Sequence, residues 1–355
     1  QNDCSRFFKI SPDQTLAVAQ ELYEKKLTTY PRTDARVLTT AVAKEIGKNL
    51  RGLSSIPVYR ELLVPVLESG AWKKIGKSRY TNDKAVTDHY AIIPTGEGLK
   101  ALPSLSKRSQ NVYELIVRRF ISIFYPPAVY EKLSMEFTVD SEHFFASLRA
   151  LKDEGWMKVS GRPGKGSAAG AAPSDGGPDG TGERDGAGGP DVAGEREGAG
   201  GTDDQGDTDI IRLKRLSALK KGSAFPIRDL EIREGQTTPP KRYTSGSMVL
   251  AMENAGQLIE DEELREQIRG SGIGTSATRA EILKKLVSNK YLALSKKSQI
   301  ITPTLMGELI YDIVDASIRP LLNAELTASW EKGLTYVAGG SISSEEYMQK
   351  LSDFI

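Results

Sequence analysis

Residues 161–209 (GRPGKGSAAGAAPSDGGPDGTGERDG and onward) hold 16 of the chain's 34 glycines and almost no large apolar side chain. A stretch of that kind buries too little to offset the entropy lost on ordering. It predicts a disordered insertion over 161–209 and confines folded structure to the segments on either side. Its carboxylates, among them Asp203, Asp204, Asp207 and Asp209, fit a solvated acidic linker better than a metal loop, so no metal is assigned in the chain. The stretch carries 4 Lys and Arg against 11 Asp and Glu, which leaves 44 against 36 elsewhere, a charge of +8 hidden inside the overall +1. That excess suits contact with phosphate backbones, though many surfaces of this size carry it without a polyanion partner.

A chain of 355 residues has room for two or three domains. No apolar run approaches the ~20 residues that cross a bilayer, and no membrane partner is expected. Cys4 is the single cysteine, which rules out an internal disulfide framework and fits a reducing compartment. Gln1 to Phe8 shows neither an initiator Met nor a signal pattern, so the chain reads as a piece of a longer one.

Ser11-Pro12-Asp13-Gln14 is a capping box with Pro at the first helical position, and Leu16, Ala19, Leu22 and Tyr23 follow at helical spacing. This helix delivers the chain to Thr28. Further helical patterns lie near 41–50, 57–68 and 109–124, whereas Leu133–Val139, Phe144–Lys152, Ile210–Leu216 and Ile227–Arg233 favour strands. The fold class expected is mixed α+β and multidomain. It has a helical domain at 1–108, a β-rich segment at 109–160 and 210–238 interrupted by the insertion, and a last domain at 239–355. From Thr244 that last domain reads helix, turn, helix, with Ile282, Leu283, Leu286 and Val287 as an apolar stripe. Tyr291–Leu294 and Gln299–Thr302 flank a Ser-Lys-Lys-Ser turn, and Pro303 opens a further helix. This is a winged-helix (CAP-like) pattern, used for DNA binding and also for protein docking.

Leu27-Thr28-Thr29-Tyr30-Pro31-Arg32-Thr33-Asp34 carries the chemistry. Pro31 pushes Tyr30 toward an extended backbone, and a period of two then turns Tyr30 and Arg32 to one side. A phenol that attacks phosphorus, beside a guanidinium that holds non-bridging oxygens, suits phosphoryl transfer. On those two residues alone, a loop tyrosine next to a surface arginine is the simpler account.

The wider segment resembles the active-site motif of type IA DNA topoisomerases, most closely that of topoisomerase III. Thr87-Asp88-His89-Tyr90-Ala91-Ile92-Ile93-Pro94-Thr95 resembles a second motif of that family, whose histidine lies near the scissile phosphate; family members often have a further histidine where this chain has Tyr90. A third match runs from Pro239-Pro240-Lys241-Arg242-Tyr243-Thr244 through Ala251–Gly256 to Gly272-Ile273-Gly274-Thr275-Ser276-Ala277-Thr278-Arg279. There a Gly-rich entry to a helix N-terminus presents backbone N–H groups to phosphate, although Thr275, Ser276 and Thr278 are also what a plain helix cap requires.

The resemblance implies Tyr30, Arg32 and His89 as catalytic residues. It places Thr33, Asp34, Arg36, Asp88, Lys241, Arg242, Thr275, Ser276, Thr278 and Arg279 against DNA. It implies single-strand cleavage through a 5′-phosphotyrosine, strand passage and religation without ATP. The substrates implied are single-stranded and negatively supercoiled or catenated DNA, handled by a cytoplasmic, DNA-associated bacterial monomer. Mg2+ is expected in the parent enzyme, on a Toprim domain with no counterpart here, so this chain alone is expected to be inactive. The β-rich segment corresponds to part of the family's gate domain. Outside the motifs, His143 reads as a structural or surface residue. Two other readings compete: a tyrosine recombinase, which places its nucleophile late and leaves a 3′-phosphotyrosine, and a non-catalytic single-strand-binding module.

Overall fold

The computed structural model describes residues 1–86, 88–160, 204–227, 229, 231–232, 234–255 and 272–354. Thr87 and residues 161–203 of the expected insertion lie outside the described residues. In chain order come α1 (Asn2–Phe8), α2 (Pro12–Glu24), α3 (Thr40–Leu53), α4 (Pro57–Ser69) and α5 (Lys107–Ser122). The hairpin of β1 (Val129–Val139) and β2 (Glu142–Asp153) and then α6 (Asp204–Ser217) follow. Next are α7 (Ser245–Glu253), α8 (Arg279–Ser288), a short hairpin of β3 (Leu292–Leu294) and β4 (Ile301–Pro303), and three helices, α9 (Leu305–Ile318), α10 (Ala324–Ala338) and α11 (Ser344–Phe354). Two compact units emerge: Gln1–Ile56 with Lys73–Ile116 and Gln236–Ile355, and Pro57–Trp72 with Val117–Gly235.

In the first unit, α2 starts as its sequence requires, with the Ser11 N–H donating to Gln14 Oε1 at 3.2 Å and Pro12 at the first helical position. It ends where Lys26 turns into the left-handed region (φ 59) and Leu27 N–H donates back to Leu22 O. Leu22 and Leu27 are both fully buried, so the turn is anchored on either side. Thr39 caps α3, accepting from Val42 N–H at 3.2 Å, and Ala43, Ile46, Leu50 and Leu53 form its buried stripe.

Helix α1 packs on α7 closely enough that a Cβ on Gly246 would stand 2.7 Å from Asn2 Cα. The buried polar atoms of this contact satisfy one another. Ser5 and Ser245 hydroxyls lie 3.2 Å apart, Ser245 donates to Gln299 Oε1, and Gln299 Nε2 donates to Lys9 O. Val249, Met252, Leu283 and Ile301 then join α7, α8 and β4 in one cluster, with Met248, Ile282, Leu292 and Leu294 around it. The β3–β4 hairpin falls where the alternation placed it. Pro303, expected to open a helix, instead closes β4, and Thr304 caps α9 by accepting from Gly307 N–H at 3.1 Å. The reason is that Thr304 supplies the cap and the extended residue before a helix, leaving Pro303 on the strand side.

In the second unit β1 and β2 pair in antiparallel register from Val129↔Asp153 to Val139↔Glu142, and Asp140 (φ 52) turns the hairpin. Residues 210–216, expected as a strand, are helical as part of α6, which begins at Asp204 inside the span expected to be disordered. Short apolar runs do not discriminate the two periods. Here burial does: Leu213 is 2% exposed while Ile211, which a strand would put on the same face, is 51% exposed. Helix α6 packs along β2. Residues 227–233 are also expected as a strand, and none of those described is in one.

Candidate active site

The two motif segments, some sixty residues apart in sequence, lie side by side. Thr29 N–H donates to Ile93 O at 3.0 Å, Thr95 N–H to Leu27 O at 3.0 Å, and Thr28 and Pro94 form an antiparallel bridge. The Thr29 hydroxyl serves twice, donating to Ala91 O at 3.3 Å and accepting from Ile93 N–H at 2.9 Å. Further along, Thr33 Oγ1 donates to His89 O at 2.7 Å while accepting from Ala35 N–H, and Ala91 N–H donates to Val37 O. Asn49 on α3 ties the second segment from behind, donating to Pro94 O at 2.8 Å.

This pairing sets Tyr30 against His89, with ring centroids 4.4 Å apart and planes at 43°. On α2, Tyr23 meets the Tyr30 ring edge-on, at 5.4 Å and 84°. Tyr30 is half-buried and Pro31 behind it is buried, while Arg32, Asp88 and His89 are exposed. Among the described residues Arg32 forms no ion pair, so its guanidinium stays available to an anion. Buried Leu27 and Thr28 on one side and Pro31 on the other hold the backbone that presents the phenol.

Downstream, the same loop reaches Glu253 and Arg279. Arg36 pairs with Glu253 at 2.6 Å, and Asp34 approaches Arg279 at 3.7 Å. Arg279, expected to meet DNA, is 4% exposed, and its guanidinium donates to Ile273 O at 3.0 Å and Gly274 O at 2.9 Å. It thereby shapes the Gly-rich turn from inside. Thr275 and Thr278 engage each other: Thr275 N–H donates to Thr278 Oγ1 at 2.8 Å, and their hydroxyls are 3.2 Å apart. Ser276 is half-exposed, and Lys241 and Arg242 are exposed on the extended approach to α7. His143 lies on the β1–β2 hairpin, 2.7 Å from Glu136.

Two contacts at the site carry no signal in the sequence. Tyr23 looks like one more member of a helical stripe, and Glu253, 217 residues from Arg36, offers no pattern linking the two. Among the described residues no group of three or more His, Cys, Asp or Glu side chains converges to hold a metal ion. A phenol beside an imidazole, with a guanidinium two residues on, is equipped to attack an electrophilic centre whose developing negative charge the guanidinium then offsets.

Comparison with known proteins agrees in kind. A family model described as DNA topoisomerase matches residues 1–174 and 201–349. The chain is similar to DNA topoisomerase 3 of Bacillus licheniformis (31% identical), Bacillus subtilis (32%) and Shouchella clausii (29%), in each case over 100% of this chain and 42% of the relative. The chain therefore spans well under half the length of these relatives.

Proposed function

The chain belongs to the type IA DNA topoisomerase family, and from that premise we propose that it carries the cleavage step of a topoisomerase 3-like enzyme, with Tyr30 as nucleophile. The contact between Tyr30 and His89, built by two segments that the family resemblance separately marks, is the observation that carries this reading. The Tyr30 phenol oxygen attacks a backbone phosphorus. The P–O3′ bond breaks, the 3′ oxygen takes up a proton as the phenol gives one up, and a 5′-phosphotyrosine is left. Arg32 meets the non-bridging oxygens and offsets charge in the transition state; His89 borders the same phosphate. Religation reverses the step, and because the phosphodiester energy is conserved in the adduct, no ATP is needed.

Thr33, Asp34, Arg36 and Asp88 border the strand near Tyr30. Lys241, Arg242, Thr275, Ser276 and Thr278 lead it there along a winged-helix-like single-strand-binding domain at 239–355, with Arg279 bracing the turn. Residues 1–108 form the nucleophile's domain, and 109–160 with 210–238 form part of a gate, interrupted by the Gly-rich insertion. The substrate proposed is single-stranded DNA within negatively supercoiled or catenated molecules, handled by a monomer in the bacterial cytoplasm. Relaxation and decatenation belong to the parent protein. The described residues do not fit Mg2+, so the ion the family implies is placed on a parent Toprim domain and no step here runs through it.

The test is a labelled single-stranded oligonucleotide incubated with the parent protein and resolved on a denaturing gel. A protein-linked 5′-phosphate that disappears in Tyr30→Phe is expected. A 3′-linked adduct would instead indicate recombinase-type chemistry, and salt-sensitive binding without any adduct would leave only a binding module.

A further inference from the structure

The geometry points to Tyr23 as a positioning residue for the nucleophile: its ring, in a T-shaped contact with the Tyr30 ring that also meets His89, holds the phenol in its attacking orientation. This rests on the reading of Tyr30 as nucleophile given above.

The backbone of Tyr23 is firmly placed. It sits in the last turn of α2, beside fully buried Leu22, and its carbonyl accepts from Lys26 N–H at 2.8 Å in the turn that ends the helix. Lys25 N–H donates to Glu21 O and Leu27 N–H to Leu22 O, so the helix end closes on itself. From Leu27 onward the chain is fastened to residues 91–95 by the Thr29 and Thr95 bonds. The Cα atoms of Tyr23 and Tyr30 are therefore held on two pieces of backbone joined by one well-bonded turn.

A half-buried tyrosine with one ring neighbour keeps freedom about χ1 and can swing its hydroxyl away from the strand. With Tyr23 at 5.4 Å and His89 at 4.4 Å, Tyr30 has two ring neighbours in place of one, and the added contact restricts that rotation. Pre-orientation of this kind lowers the barrier for in-line attack and leaves ground-state strand binding nearly unchanged. Tyr23 itself is 40% exposed and its contact with Tyr30 is ring to ring, so no role is assigned to its own hydroxyl. Phenylalanine should serve as well, and an aliphatic side chain should not.

The experiment compares the parent protein with its Tyr23→Phe, Tyr23→Leu and Tyr30→Phe variants in single-turnover cleavage of a single-stranded oligonucleotide, alongside oligonucleotide affinity and thermal melting. Tyr23→Leu is expected to slow adduct formation by roughly 10- to 100-fold, with Kd within about 2-fold and an unshifted melt, and Tyr23→Phe to restore the rate. If Tyr23→Leu unfolds, Tyr23→Met, which keeps a long side chain without a ring, replaces it with the same expectation. A wild-type adduct rate in the folded Leu or Met variant, or a loss seen equally in Tyr23→Phe, overturns the inference and leaves the nucleophile assignment standing. Absence of a Tyr30-dependent adduct in the unsubstituted protein overturns that assignment, and this inference with it.

Discussion

The imidazole of His89 lies against the phenol of Tyr30, 4.4 Å between ring centres, although 59 residues separate them in sequence. Thr33 fixes the approach by donating to the backbone carbonyl of His89 itself. Tyr30→Phe retains the ring that contacts Tyr23 and His89 and removes only the oxygen. Its melting temperature should stay within about 2 °C of the parent's, while adduct formation vanishes. His89→Ala should fold and lower the cleavage rate by about 100-fold or more if the imidazole assists proton transfer; single-turnover kinetics measures both.

Adjacent threonines should respond with opposite sign. The Thr28 hydroxyl is buried with no hydrogen-bond partner among the described residues, so Thr28→Val removes an unsatisfied group and should stabilise by up to about 1 kcal/mol. Thr29→Val removes one donor and one acceptor from the joint between the motif segments and should destabilise by about 1–3 kcal/mol. Denaturant unfolding of the two variants provides the comparison, and a shared sign would contradict the hydrogen-bond assignment.

Gly52 on α3 faces the backbone of Gly96, just past the second motif segment. A Cβ there would meet Gly96 C and Cα at 2.8 Å. Alanine gains about 0.5–1 kcal/mol in helix propensity, but overpacking against backbone costs about 1–3 kcal/mol, so Gly52→Ala should lower the melting temperature. An increase would show that the segment yields freely.

Asp83 accepts from Thr40 N–H at 2.7 Å and from Thr40 Oγ1 at 2.6 Å, and these bonds hold its carboxyl below the usual range. A folded-state pKa below the unfolded value of about 3.9 means the stabilisation is fully present above that value and is lost as pH falls through the folded pKa. Asp83→Asn should therefore be less stable than the parent at neutral pH, with the gap closing in acid. A gap independent of pH would assign the effect to packing instead.

Cys4 is 2% exposed at the contact of α1, and burial pushes its thiol pKa upward. Alkylation of the native chain at neutral pH should be slow and should become fast in denaturant. Rapid labelling under native conditions would show that α1 leaves its place.

Local chemistry was readable in the sequence because it is written within a few residues. The Ser11–Gln14 box, the stripe of α3, the β3–β4 alternation and the order of the motifs all depend on neighbours in the chain. The helix at 204–217 is not legible in the sequence because Ile211 and Leu213 satisfy either period until a partner surface buries one and leaves the other in water. Only the tertiary structure could decide that Tyr23 flanks Tyr30, that Glu253 meets Arg36, and that Arg279 turns inward to the carbonyls of Ile273 and Gly274. Each of those outcomes is set by which distant backbone arrives within hydrogen-bond or ring-contact distance, and no local propensity encodes that arrival.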